Sequence, residues 1–191
     1  MLPRREAVAV LLADRPRDLL VIAGLGSATY DLAAAGDDAC NFYLWGAMGG
    51  ALAMGLGLAL AQPSKRILVL TGDGELLMGL GSLATVGVQA VRNLAVAVLD
   101  NEAYGETGGQ ASHTAHGTDL AAVARACRFR EAMTVRQPEE LGGLRDLLLC
   151  APGPVLGVIK TAAADVPRVL PERDGHAIRT RFRGAVVGNA R

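Results

Sequence analysis

The chain has 191 residues, of which 51% are hydrophobic, 4% aromatic and 20% charged, with 24 glycines. That apolar content excludes a disordered chain, and the length fits one compact domain able to bury roughly 70% of the surface its unfolded chain exposes. The 19 basic and 19 acidic residues cancel, so there is no global field to hold nucleic acid, although a local anion site is allowed. Cys40, Cys127 and Cys150 are far apart and show no Cys-x-x-Cys spacing. They argue against a disulfide framework, a zinc site or an iron–sulfur cluster, and for a reducing cytoplasm. Charges interrupt every apolar run of the first twenty positions, so no signal peptide or anchor is read there.

Arg4 to Asp14 carries apolar residues at helical spacing, and Asp18 to Ala23 is a short apolar run ending at Gly24, as a buried parallel strand would. Phe42 to Ala61 carries no charge and is long enough to span a bilayer as a helix. Its glycines (Gly46, Gly49, Gly50, Gly55 and Gly57) suit close backbone approach in a packed interior instead. The stretch is therefore assigned to the domain, not to a membrane. Arg66 to Thr71 and Leu94 to Leu99 read as buried strands, with a helix over Leu76 to Val91 between them. Thr118 to Cys127 reads as a helix with Thr118 as N-cap, and Pro138 to Cys150 as another with proline in its first turn. Phe129 to Val135 and Pro154 to Lys160 are the remaining strands. From Ala162 to Arg191 the chain is rich in Arg, Pro and Gly, and it is read as an extended tail packed on the domain or a partner, beyond a domain of residues 1–161.

Buried strands alternating with helices describe an α/β fold, a three-layer α/β/α sandwich with a mostly parallel sheet. Ligands of such sheets bind beyond the carboxyl ends of the strands. Gly72-Asp73-Gly74 sits at one such end and opens a helix, where glycines let backbone N–H groups approach a phosphate. Asn101 ends the next strand, so both side chains face one gap. A carboxylate, an amide oxygen, a backbone carbonyl, two phosphate oxygens and a water complete the octahedral shell that Mg²⁺ prefers. On the residues alone Asp73 and Asn101 are equally an N-cap and a turn residue. Likewise Met48, Cys127 and Cys150 are core residues, Glu106 to Gln110 is a connector, and His113 and His116 are solvated. Gly24 to Thr29 lacks the last glycine of a dinucleotide fingerprint, which rejects a nicotinamide site but keeps Gly26 and Ser27 as cleft lining. Arg179, Arg181 and Arg183 read as a solvated or subunit-facing edge.

The GDG followed by an Asn-containing pair resembles the thiamine diphosphate binding motif. Phe42-Tyr43 with Gly46 to Gly49, then GDGELLMGLGSLATV at Gly72 to Val86, then LDNEAYGETGGQASHT at Leu99 to Thr114 resemble the diphosphate-binding half of the sulfopyruvate and phosphonopyruvate decarboxylases. The resemblance implies Mg²⁺ held by Asp73, Asn101 and the backbone carbonyl of Ala103, with N–H groups of Gly74 and Glu75 on the diphosphate. It implies that Met48, in the Gly46-Ala47-Met48 turn, props the two cofactor rings into the V shape that brings their reacting atoms together. Gly26, Ser27, Gly72, Tyr104, Gly105 and Glu106 would complete the cofactor cleft. Thr107 and His113 join Met48 as candidate catalytic residues, in a loop that encloses substrate and at a titrating side chain.

In this family a Glu on a separate pyrimidine-binding domain activates the cofactor, and no segment here has the length for that domain. The resemblance therefore implies a beta-type subunit of a cytoplasmic 2-oxo acid decarboxylase, completed by an alpha-type subunit in a hetero-oligomer, α2β2 or larger. Alternatives are an acetolactate synthase-like carboligase subunit and a non-catalytic cofactor-binding module. An oxidoreductase subunit is disfavoured because three scattered cysteines cannot ligate a four-cysteine cluster. Two departures bear on substrate: Ser27-Ala28-Thr29 replaces the Ser-Arg-Glu typical of the branch, and Ala47 replaces a common Ser.

Overall fold

A computed structural model describes residues 1–163 and 166–188. The elements run α1 (Arg4–Leu12), β1 (Leu20–Ala23), α2 (Ser27–Ala34), β2 (Asn41–Tyr43), α3 (Ala51–Ala61), β3 (Ile67–Gly72), α4 (Asp73–Met78), α5 (Gly81–Gln89) and β4 (Leu94–Asp100). A small hairpin follows, β5 (Ala103–Tyr104) with β6 (Gln110–Ala111), and then α6 (Leu120–Ala126), β7 (Glu131–Val135), α7 (Leu141–Cys150), β8 (Val155–Lys160) and α8 (Gly175–Val187).

Six strands form one sheet in the order β2-β1-β3-β4-β8-β7, and every pairing in it is parallel. Side chains alternate across it. Val21, Leu68, Leu70, Ala95 and Ala97 join the core under α1, α2 and α7, while Ile22, Ile67, Val69, Val96 and Val98 join the core under α3, α5 and α6. With both faces covered, a strand must be apolar at every position, which is why β1 and β4 are buried throughout. The fold is thus the three-layer α/β/α sandwich expected from the sequence.

Several local expectations are corrected. The helix expected over 76–91 starts at Asp73 and is broken in two, because the backbone at Gly79 lies against that of Gly49, where a Cβ would meet the Gly49 carbonyl oxygen at 2.2 Å. The N-cap of α6 is Asp119, not Thr118; its carboxylate accepts the Ala122 N–H at 3.0 Å. The apparent spanning stretch is strand β2, a turn and the short helix α3, and no helix among the described residues is long and apolar enough to cross a membrane. Cys127 is half-buried and Cys150 exposed at the end of α7, so only Cys40 sits in the core.

The segment expected to be an extended tail contains α8, with residues 164, 165 and 189–191 outside the described part. Ile178 and Phe182, one turn apart, are its buried side chains, and Phe182 packs edge-on against Phe42 of β2 at 5.4 Å. The helix covers the β2 edge of the sheet, where unpaired strand groups would otherwise be open to another chain. Arg181 is not a solvated charge: it pairs with Asp37 at 2.7 Å and lies over the Tyr43 ring. Arg179 and Arg183 are exposed.

Candidate active site

The chain runs from β2, at one side of β1, to β3 at the other, so the strand order reverses between β1 and β3. Loops leaving the carboxyl ends of strands diverge at such a point and leave a crevice. An open cleft of about 560 Å³ lies there, lined by Ser27 and Ala28 after β1, Gly72 to Glu75 after β3, and Asn101 and Ala103 to Thr107 after β4. Met48 reaches it from the β2–α3 connection. That connection is a tight turn in which Ala47 has a left-handed φ of 55° and its carbonyl accepts the Gly50 N–H. The Gly49–Gly79 contact then fixes this turn against the end of α4.

Gly72 pairs in register with Leu99, so Asp73 leaves β3 level with Asp100, and Asn101 follows one residue beyond; both Asp73 and Asn101 line the cleft. After β4 the chain bends sharply: the Asp100 carboxylate accepts the Glu102 N–H at 3.0 Å, the Asn101 amide oxygen accepts the Ala103 N–H at 3.2 Å, and Glu102 takes a φ of 60°. This bend turns Ala103, Tyr104 and the exposed loop after them over the cleft. Gly74 must lack a side chain because a Cβ there would meet the Tyr104 ring at 2.6 Å.

A buried polar chain backs Asp73. Its Oδ2 accepts hydrogen bonds from Ser112 and from Thr114, the latter at 3.2 Å, and Thr114 also donates to Asp100 at 2.8 Å. The Lys160 ammonium, at the end of β8, meets Asp100 at 2.7 Å and Glu102 at 2.6 Å. Burial raises the Asp73 carboxyl above the usual carboxylate range; the Ser112 hydroxyl opposes this and the nearby Asp100 charge adds to it. Burial works against the Lys160 charge, but its bonds to Asp100 and Glu102 prevail and hold it above the ordinary lysine value. Sequence reasoning missed Lys160, and placed Asp100, Ser112 and Thr114 in a motif without giving them a task.

Glu75 turns away from the opening. Its carboxylate fills the space beside Gly24, accepts the Thr71 hydroxyl at 2.8 Å, and is raised by burial. Of the other expected residues, Gly26, Gly46, Ala47 and His113 lie outside the lining of the cleft. Gly26 packs under Glu106, and exposed His113 sits behind the wall with Nδ1 3.2 Å from the Tyr104 hydroxyl. Arg4 of α1 lines the cleft and was not expected there.

The donors at the deep end are a carboxylate, an amide oxygen and the backbone of Ala103, all hard oxygens in a set with a single carboxylate. Among the described residues no cluster of three His, Cys, Asp or Glu side chains could replace them. Such a set suits a divalent ion that takes its remaining ligands from phosphates and water.

Residues 24–157 match the family model "Thiamine pyrophosphate enzyme, C-terminal TPP binding domain". The chain belongs to that family. The chain is 38% identical over 190 residues to the sulfopyruvate decarboxylase subunit beta of Methanothermobacter thermautotrophicus, covering 98% of this chain and 97% of that one. It is 41% identical over 153 residues to the phosphonopyruvate decarboxylase of Streptomyces viridochromogenes, covering 80% of this chain but 38% of that protein. A solved chain from Mycobacterium smegmatis, assigned as a thiamin diphosphate-dependent enzyme, shares the fold with a TM-score of 0.71 at 21% identity over 85% of this chain and 32% of that one.

Proposed function

We propose that this chain is the thiamine diphosphate- and Mg²⁺-binding beta-type subunit of a cytoplasmic 2-oxo acid decarboxylase for substrates like sulfopyruvate or phosphonopyruvate. A separate alpha-type subunit carries the pyrimidine-binding domain and its activating Glu. The observation that carries this reading is the convergence of Met48, Asp73, Gly74, Asn101 and Ala103 on one cleft at the β1–β3 reversal. The similarity to a sulfopyruvate decarboxylase beta subunit over almost the whole of both chains supports the division of labour. Exposed Leu60, Met78 and Val88 offer apolar surface for a partner.

When bound, thiamine diphosphate supplies the electron sink that lets a 2-oxo acid lose CO₂. The chain's own residues do the rest. Asp73, Asn101 and the Ala103 carbonyl hold Mg²⁺, with Ser112 and Thr114 keeping the Asp73 carboxylate oriented and one of its oxygens free of side-chain donors. N–H groups of Gly74 and Glu75 receive the diphosphate, and Gly72 keeps that approach open. Met48 props the cofactor rings, with Gly46 and Ala47 shaping its turn. Tyr104, Gly105, Glu106 and Thr107 cover the cleft on the side facing Gly26 and Ser27, excluding water, and His113 holds the Tyr104 hydroxyl.

The test is reconstitution with an alpha-type subunit and measurement of CO₂ release from short 2-oxo acids, with and without Mg²⁺ and thiamine diphosphate. Activity is expected only in the complete mixture. Robust decarboxylation by the isolated chain overturns the divided site, and calorimetric cofactor binding unchanged in Asp73→Ala overturns the metal assignment.

A further inference from the structure

Arg4 is the one Lys or Arg among the residues lining the cleft, where Ser27 and Ala28 contribute no charge. The cleft also runs into a side hollow of about 670 Å³, since Arg4, Ser27, Gly105 and Glu106 line both. The hollow is closed by Tyr30 of α2 and by Val166 and Arg168 of the C-terminal segment. That segment is tied down over the site: the Pro167 carbonyl accepts from Arg5 at 2.7 Å, the Glu172 carbonyl accepts from Trp45 at 2.8 Å, and the Arg168 guanidinium lies over the Tyr30 ring at 5.4 Å.

The side chain of Arg4 is nine-tenths buried and held from behind, with its Nε on the fully buried Asp31. Arg5 meets the same carboxylate at 3.1 Å. Two cations on one anion leave a net positive charge, and Arg5 spends another of its donors on Pro167. Among the described residues the two terminal nitrogens of Arg4 have no hydrogen-bond partner. A guanidinium fixed at Nε, with its outer fork open to a cleft, is prepared for bidentate capture of an oxyanion. The opposing charge is Glu106, exposed at the shared rim; Arg168 adds a second cation on the far side.

We propose that Arg4, assisted by Arg168, is the residue that separates doubly charged from singly charged 2-oxo acids, by binding the acidic group at the end of the substrate remote from the bond that breaks. This rests on the decarboxylase reading and narrows it: the deep end of the cleft receives the cofactor's diphosphate, and the side hollow receives the end of the substrate remote from the bond that breaks. A monoanionic 2-oxo acid such as pyruvate leaves the fork unfilled.

The experiment compares the assembled enzyme with its Arg4→Gln, Arg4→Lys and Arg168→Gln forms, using sulfopyruvate, phosphonopyruvate and pyruvate as substrates. Calorimetric titration with unreactive 3-sulfopropionate and with thiamine diphosphate runs beside it. Arg4→Gln is expected to raise KM for the doubly charged substrates and weaken 3-sulfopropionate binding by about ten- to a hundredfold, the value of a charge-assisted hydrogen-bond pair. Pyruvate KM and thiamine diphosphate affinity should change less than about twofold on the same scale. Arg4→Lys keeps the charge beside Asp31 and should fall between, and exposed Arg168→Gln should give a smaller loss without affecting folding. Equal losses for pyruvate, or weakened thiamine diphosphate binding, overturn the subsite while leaving the decarboxylase intact. If no 2-oxo acid is decarboxylated, the functional reading fails, and 3-sulfopropionate binding decides the subsite alone: loss in Arg4→Gln upholds it and unchanged binding refutes it. Should Arg4→Gln not fold, Arg4→Lys and Arg168→Gln decide in the same way.

Discussion

Lys160→Met tests the buried charge chain behind the metal-binding end. The Lys160 side chain is 8% exposed and that of Asp100 2%, so deleting the ammonium leaves Asp100 buried beside two neutral donors and no counter-charge. Removing one partner of a buried pair costs about 3–5 kcal/mol, whereas Glu102, at 31% exposure, turns to water and adds less than about 1 kcal/mol. For a chain of this size each kcal/mol lowers Tm by roughly 2–4 °C, so the expected drop is about 6–20 °C. The sign with pH is fixed by the direction of the lysine shift. A group held above its ordinary value of 10.5 contributes fully below that pH and loses its contribution as the pH climbs through the higher folded value. The deficit of Lys160→Met should therefore be largest at neutral pH and shrink in strong alkali. Thermal unfolding followed by circular dichroism measures it, and Lys160→Met combined with Asp100→Asn should recover at least half. A Tm loss under about 2 °C, or a double variant no better than the single one, refutes the claim that Asp100 is a buried charge dependent on Lys160.

Three further outcomes are expected. Gly79→Ala drives a Cβ to 2.2 Å from the Gly49 carbonyl oxygen, so it should destabilise by about 1–3 kcal/mol and weaken calorimetric cofactor binding by moving Met48, whereas Gly57→Ala, with nothing within 4 Å, should stabilise α3 by about 0.5–1 kcal/mol; equal effects would discount the backbone contact. Thr114→Val removes the hydroxyl shared by Asp73 and Asp100 and should cost about 1–3 kcal/mol in urea unfolding, with a loss below half a kcal/mol counting against the network. Arg181→Ala should cost at most about 1 kcal/mol at pH 7, since the pair is partly exposed. Burial opposes the Asp37 charge, but Arg181 and Tyr43 prevail and depress its carboxyl, so this stabilisation exists above the ordinary value of 3.8 and should fade as the pH falls below it.

What the sequence made legible was the interior of the sheet. β1, β3, β4 and β8 are covered on both faces, so each is a continuous apolar run, and the polar stops after β3 and β4 place Asp73 and Asn101 at the cleft. β2 was illegible because three residues carry no period. α2 was illegible because Ala28 to Ala33 are all buried, which leaves no polar face to set a period, its one acid being neutralised by Arg4 and Arg5 from α1. The break between α4 and α5 depends on Gly49, far back in the chain. The alternating arginines of α8 mimic a strand-like period and mask the Ile178–Phe182 pair that seats the helix. Arg4 could not be assigned from its surroundings in the sequence, since only closure of α1 over α2 carries it to the cleft.

The distribution of support around the cleft separates two tasks. At the deep end, Asp73 is fixed through Ser112, Thr114, Asp100 and Lys160, residues drawn from three different parts of the chain, so any change there leaves a buried polar group without its partner. At the rim, the walls are α1, the exposed Glu106–Gln110 loop and the C-terminal segment, and only Arg4 has its side chain buried and paired. A polar group at the rim that loses its partner meets water, and the penalty is small. Substrate preference can therefore change through exposed residues such as Glu106 and Arg168 without disturbing the diphosphate and metal end. Arg4 is the exception: because it also neutralises Asp31, replacing it alters recognition and stability together.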